Sequence, residues 1–154
     1  MFDGAKSQMN LRPATPEDIS GLCELGRQMI AEGSYSTFEY SPDRVAGFLG
    51  PLISHGFAWV GEADGGLVAV MLGDVITPWF SENRMGVEYV LYLDPQHRNG
   101  MAAARLIGRW AQWCKDHGAV QLRPGVTTGN EAVNRLYERM GFERAGAVFF
   151  MNAR

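Results

Sequence analysis

Apolar and polar positions alternate along the chain in two rhythms, and the switches between them mark out the elements. Residues 9–12 read as a short strand closed by Pro13. Thr15, Pro16, Glu17 and Asp18 then form a helix start: a cap hydroxyl, a ring with preset φ, and acids near the free N–H groups of the first turn. Ile19, Leu22, Cys23, Gly26, Met29 and Ile30 follow at helical spacing and predict one buried face. Ser41, Pro42 and Asp43 repeat the start signal, and Val45, Phe48, Leu49, Leu52 and Ile53 make a second stripe, closed by His55 and Gly56. Between the two helices, residues 31–40 carry three aromatics without a period, as expected of a loop that is packed down or lines a pocket.

The rhythm then shortens. Residues 57–62 and 67–75 are strand-like and are joined across Ala63, Asp64, Gly65 and Gly66, which reads as a hairpin turn. A loop with Pro78, Trp79 and Phe80 leads to a third strand over 86–93. Strict alternation there puts Val87, Tyr89, Leu91 and Leu93 on one face and Glu88, Val90 and Tyr92 on the other. Residues 101–117 return to helical spacing, with Ala103, Leu106, Ile107, Trp110 and Cys114 inward and Gly118 as the stop. Residues 119–126 read as a strand that Pro124 confines to an edge or a break. Thr128 to Glu131 fit a capping box with Thr128 as cap, before a last helix whose stripe is Ala132, Val133, Leu136, Tyr137 and Met140. Beyond Gly141, residues 142–152 are long enough for two short strands. The order predicts a mixed α/β domain with helices packed on a sheet.

Length and composition narrow the class. A chain of 154 residues is one domain, expected over 9–154, with residues 1–8 as a disordered extension. No apolar run is long enough to span a bilayer, and the first residues lack the pattern of a signal peptide. A net charge of −3 argues against a general nucleic-acid or anionic-membrane binder. Cys23 and Cys114 lie in helical patterns, fit neither a zinc site nor a disulfide framework, and suit reduced thiols in a cytoplasmic protein with no metal.

Residues 91–103 carry the first candidate chemistry. A strand stops at Pro95, a polar turn follows, and a helix opens on small residues. A helix N-terminus has unpaired N–H groups and a positive dipole end, so it can hold a phosphate, with the charge of Arg98 at the mouth. The segment is neither a Walker A loop nor a three-glycine dinucleotide turn, and by itself it is equally an ordinary strand-turn-helix joint. His97 beside the turn reads as a surface or phosphate contact.

A second segment, Gly129 to Phe142, changes the picture. Arg98, Met101 and Ala103 fall on the Arg-x-x-Gly-x-Gly/Ala signature of the GNAT acyltransferase superfamily. Asn130, Tyr137, Gly141 and Phe142, with Ala132 or Val133, fall on its Asn-x-x-Ala-x-x-x-Tyr-x-x-x-Gly-Phe signature. The order of elements from residue 9 onward also resembles this fold. The resemblance implies a mostly antiparallel mixed sheet with helices on both faces, splayed between the fourth and fifth strands. It implies acetyl-CoA as cosubstrate, with Arg98, Asn99, Gly100, Met101, Ala102 and Ala103 at the diphosphate. Backbone groups of Leu91 and Leu93 would pair with the pantetheine arm, and Asn130 would reach the cofactor from the last helix. Tyr137 matches the family's proton donor to the departing thiolate, and Glu88 lies on the strand that lines the reacting centre and is the leading base. Met101 stands where the family has Gly, so a positive φ there would be costly; Gly100 is expected to absorb the turn, with the thioether directed to the core.

The function the resemblance implies is acetyl transfer to a primary amine by direct attack, and the absence of a Cys nucleophile in either motif is consistent with it. Glu32, Tyr35 and Trp79 are the candidate acceptor contacts, and the acceptor would be a small-molecule or peptide amine. The alternative is a non-catalytic acyl-CoA sensor of the same fold, and a third reading is a nucleotide-binding enzyme. The apolar end, Ala147 to Met151, offers a strand for pairing in a homodimer.

Overall fold

A computed structural model of the chain describes residues 8–98, 100–128 and 130–153. Within them five strands form one sheet in the order β1-β2-β3-β4-β5: β1 (Asn10–Pro13), β2 (Phe57–Ala63), β3 (Gly66–Ile76), β4 (Arg84–Leu93) and β5 (Ala119–Arg123). Neighbours are antiparallel except β4 and β5, which run parallel. The hairpin between β2 and β3 turns on Asp64 (φ 55°) and Gly65 (φ 80°), the pair of positive φ values that matches strand twist in a two-residue turn. Almost all of the predicted residues 1–8 lie outside the described residues.

Helices α1 (Ile19–Glu32) and α2 (Pro42–His55) cover one face of the sheet. Leu22, Leu25, Leu49 and Leu52 pack there on Val60, Val70, Leu72 and Tyr92. Helices α3 (Ala102–Asp116) and α4 (Glu131–Arg139) cover the other, where Leu106, Ile107, Trp110, Cys114 and Tyr137 meet Phe57, Met71, Val75 and Leu93. The helical stripes read from the sequence are therefore the two cores. A part-buried ion pair ties the first turn to the sheet: Asp18 accepts from Arg12 Nη1 and Nη2 at 2.7 and 2.9 Å and caps its own turn through Thr15 N at 2.8 Å.

Three expectations are corrected. Residues 142–152 form no strand: an extended apolar run needs a neighbour for its backbone hydrogen bonds, and none lies beside it among the described residues. The fifth strand stops at Arg123 instead of Val126, because Pro124 has no N–H to continue the ladder. The last helix is capped by Asn130, whose Oδ1 accepts from Ala132 N at 3.1 Å and Val133 N at 3.4 Å, so the Thr128 capping box does not form.

Candidate active site

The sheet opens where β5 ends. β5 pairs with β4 only from Arg84 to Val87, the last pair being Val87 with Arg123. Glu88 to Leu93 continue along β3 with no strand on their other side among the described residues. The backbone around Leu91 and Leu93 thus borders an unpaired edge, although the Leu93 carbonyl already accepts from Arg98 Nε at 2.8 Å.

A β-bulge decides where Glu88 points. Leu72 pairs with Val90 and Gly73 with Glu88, leaving Tyr89 as one extra residue on β4. Residues on either side of a bulge lose strict alternation. Glu88 therefore shares a face with Gly73, towards α3, while Val90 and Tyr92 face α1 and α2. Tyr89 joins them, its ring edge-on to Phe48 at 5.3 Å. The expected grouping of Glu88 with Val90 and Tyr92, and of Tyr89 with Leu91, is corrected accordingly. Gly73 is what admits this arrangement. A Cβ there would stand 2.5 Å from Trp110 Nε1 and 2.7 Å from the Val87 carbonyl, the two atoms that hydrogen-bond at 3.2 Å beside Glu88.

Burial raises the Glu88 carboxyl from 4.5 to about 7, opposed only by a long 3.4 Å hydrogen bond from Gly125 N. An acid with that pKa is divided between its two forms at neutral pH, as a proton acceptor in catalysis should be. Tyr137 lies on the same side of the sheet, 6% exposed, and its hydroxyl has no hydrogen-bond partner. Desolvation, then the Glu88 charge, push its pKa far above 10, so the phenol stays protonated.

The end of α4 aims Tyr137. Gly141 at φ 98° lets the chain reverse, Gly141 N donates to the Glu138 carbonyl at 3.1 Å, and Phe142 N donates to the Tyr137 carbonyl at 3.0 Å. This is a Schellman closure, with the accompanying apolar contact made by the Phe142 ring edge-on to Tyr137 at 5.4 Å. Phe142 in turn stacks on Trp110 at 6.5 Å. The Gly-Phe of the second signature is thus a clamp on the tyrosine.

At the other end of the gap, α3 begins without a side-chain cap, so the N–H groups of its first turn, at Ala102 and Ala103, have no intrahelical acceptor. Gly100 and Met101 precede them at the surface. Met101 has φ −89°, so no glycine is needed there; its side chain is 65% exposed and does not enter the core as expected. Asn99 lies outside the described residues. The Arg98 guanidinium turns away from the helix, to Glu32 and over the Tyr92 ring at 5.4 Å, while Tyr92 Oη donates to Glu32 Oε2 at 2.6 Å. His97 stands between Asp94 at 3.6 Å and Asp64 at 3.7 Å. The Asn130 side-chain oxygen is occupied as the α4 cap.

The acceptor candidates are not gathered in one place. Glu32 is held at the C-terminal end of β4, and Tyr35 follows it in the 3-10 turn Ser34–Thr37. Trp79, 96% exposed, sits in the loop before the N-terminal end of β4, eight strand residues from Tyr92, or roughly 26 Å. Sequence reasoning missed the partners of the site residues: Gly125 on Glu88, Trp110 on the neighbouring Val87 carbonyl, and the Glu32–Tyr92–Arg98 cluster. An isolated glycine inside a strand pattern, Gly73, was the available signal for the bulge. Among the described residues no group of three or more His, Cys, Asp or Glu could hold a metal ion, and no helix is long and apolar enough to cross a membrane.

No curated protein matches the chain by sequence. Solved structures do match its fold. A GCN5-related N-acetyltransferase from Ralstonia eutropha JMP134 superposes with TM-score 0.75 at 24% identity, over 96% of this chain and 100% of that one. A predicted acetyltransferase from Clostridium acetobutylicum, solved with acetyl-CoA, gives 0.73 at 20% identity over 94% and 96%. The aminoglycoside N-acetyltransferase AAC(6')-Iy, in complex with a bisubstrate analogue of CoA and acetylneamine, gives 0.74 at 15% identity over 96% and 99%. The acetyltransferase (GNAT) family model matches residues 27–142, three-quarters of the chain, and with the splayed sheet, the unpartnered tyrosine and the uncapped α3 it places this protein in the GNAT acetyltransferase family.

Proposed function

We propose that the chain transfers an acetyl group from acetyl-CoA to a primary amine by direct attack, with Glu88 as base and Tyr137 as proton donor. One observation carries the reading: a carboxyl that burial raises to about 7 and a protonated, unpartnered phenol lie on the same face of the sheet, close enough for the charge of one to act on the other. The surroundings fit the cosubstrate. The first-turn N–H groups at Ala102 and Ala103 suit a diphosphate, with Gly100 and Met101 leaving the backbone approachable. The unpaired edge at Leu91 and Leu93 suits an amide-bearing arm that adds like a strand. The Arg98 guanidinium is engaged with Glu32, so in this proposal the helix amides hold the phosphates, and Arg98 contributes long-range positive charge. Asn99 and Asn130 complete the proposed cofactor set.

Acetyl-CoA, when bound, supplies the activated acetyl thioester. An alkylammonium has a pKa near about 10.4 and is almost wholly unreactive at neutral pH. Glu88 takes the proton that must leave the amine nitrogen, directly or through water. Tyr137 Oη holds a proton on the side where negative charge must be met, and its orphan state is a requirement of that role, since a donor engaged inside the protein would be unavailable. The acceptor is proposed as a small-molecule or peptide amine, with Glu32 and Tyr35 as its contacts, Trp79 as a contact only for an acceptor long enough to span β4, and the cytoplasm as the location.

A thermal-shift panel of acetyl-CoA, CoA, ATP and NAD tests binding. Saturation at about 100 times Kd stabilises by about 2.7 kcal/mol, and no shift with either CoA species would refute the proposal. Thiol release on an amine panel separates catalysis from acyl-CoA sensing: Tyr137→Phe retains CoA binding and loses turnover if the chain is an enzyme.

A further inference from the structure

A cavity of about 130 Å³ lies between α1, α2 and the face of the sheet they cover. The buried side chains of Leu25, Leu49, Val70 and Leu72 line it, and its surface is almost wholly carbon. Two tyrosines also line it, and each hydroxyl has given its proton elsewhere. Tyr40 Oη donates to the Cys23 carbonyl at 2.6 Å, and Tyr92 Oη to Glu32 at 2.6 Å. A buried water needs roughly two to four polar partners, so this space suits an apolar group instead. An apolar cavity of similar size, about 150 Å³, stays dry and takes up benzene.

The cavity adjoins the candidate active site. Val90 and Tyr92 line it from β4, on the stretch that β5 leaves uncovered, so one strand separates it from the gap. Phe48 lines it from α2 and meets the ring of Tyr89 at 5.3 Å; the two are 45% and 44% exposed, so this corner reaches the surface. Tyr89 follows Glu88 directly, and Val90 stands two residues, or about 7 Å, from it. We propose, resting on acetyl transfer as the activity, that this cavity receives the uncharged side chain of the acceptor, an aromatic ring or a branched alkyl group, so that the amines acetylated are hydrophobic monoamines. The amine reaches the Glu88 side of β4 around the uncovered edge while the apolar group sits between the helices. An acceptor with a second charge finds no acid on the cavity walls, and burying that charge unpaired is costly. A phenyl-sized group gains about 10–100-fold by leaving water.

Thiol release from acetyl-CoA by the full chain should favour 2-phenylethylamine over 1,4-diaminobutane by about 10–100-fold in kcat/KM, chiefly through KM. Val45→Phe and, separately, Val90→Phe put a ring into the cavity from α2 and from β4. Each should remove the preference and melt no lower than the wild type, and Val45→Phe should leave the rate with 1,4-diaminobutane unchanged. Toluene, tested without acetyl-CoA by saturation-transfer nuclear magnetic resonance, should bind the wild type and neither variant. Equal kcat/KM for the two amines, a preference that survives both substitutions, or no saturation of toluene would overturn the proposal and leave acetyl transfer standing. With no amine acetylated, acetyl transfer and the acceptor role fail together, while toluene binding lost in both variants would still show the cavity to be an apolar ligand site.

Discussion

Replacing Glu88 with Gln separates the cost of the carboxylate to the fold from its use in the reaction. Burial moves the pKa from 4.5 to about 7, so between those values the native state binds a proton that the unfolded chain releases. Stability therefore falls as pH rises through this window, and the whole penalty is present above pH 7. At about 1.4 kcal/mol per pKa unit, the ionised group costs the fold about 3 kcal/mol. Gln has the same shape and no charge, so Glu88→Gln should be more stable than the wild type by up to about 3 kcal/mol at pH 8, or roughly 6–12 °C in Tm for a domain of this size. Near pH 4.5 the two should coincide. Activity should move the other way: loss of a general base costs about 10²–10⁴-fold, and the rise of kcat/KM with pH through about 7 should disappear. Calorimetric scans from pH 4.5 to 8, with pH–rate profiles of both proteins, are the assay. Equal Tm values at pH 8 together with an unchanged inflection near 7 would refute the reasoning about both burial and role.

Other expectations follow from the same geometry. Tyr137→Phe removes a buried hydroxyl with no partner, so it should raise stability by about 1–2 kcal/mol in denaturant melts while lowering turnover. Gly73→Ala puts a methyl 2.5 Å from Trp110 Nε1 and 2.7 Å from a backbone oxygen, and should cost about 1–3 kcal/mol with loss of the Trp110 indole environment by fluorescence. Asp18→Asn breaks the Arg12 pair and should cost about 2–3 kcal/mol at pH 7. Arg12 holds the Asp18 carboxyl down at about 2, against 3.8 in the unfolded chain. The wild-type advantage is therefore complete above about pH 4 and fades as pH falls towards 2, as acid titration of both proteins would show.

The helices of this fold were legible because each carries its own record. The stripes from Ile19 to Ile30, Val45 to Ile53, Ala103 to Cys114 and Ala132 to Met140 are local periodicities, and they became the two cores. For the candidate site, residue types could be read from the sequence, but side-chain orientation could not. Glu88 and Tyr137 could be singled out, yet alternation assigned Glu88 to the wrong face, since one extra residue at Tyr89 reverses every side chain beyond it. The Arg98 side chain reads as a phosphate contact until its non-local partner Glu32, 66 positions away, is seen to hold it. Likewise Ala147 to Met151 has the composition of a strand, but composition names no neighbour to pair with.

The same distinction explains why the second signature is so informative a stretch of sequence. Each of its fixed residues has a local structural task that ends at one atom. Asn130 caps α4 and sets where the helix begins; Gly141 supplies the positive φ at which it ends; Phe142 closes the turn and lies edge-on to Tyr137. The ring packs in the core, but its hydroxyl is buried without a partner, which costs stability. Glu88 presents the matching case, a carboxyl whose pKa burial raises to about 7. Two polar groups that each oppose the stability of the domain lie on the same face of the sheet, and Glu88 follows the last β4 residue that β5 covers before Pro124 ends it. Packing accounts for the Tyr137 ring but for neither polar group. The proposed proton transfer would use both, and it predicts that Tyr137→Phe and Glu88→Gln combined should add in stability and fail to add in lost activity, because either change alone interrupts the same reaction.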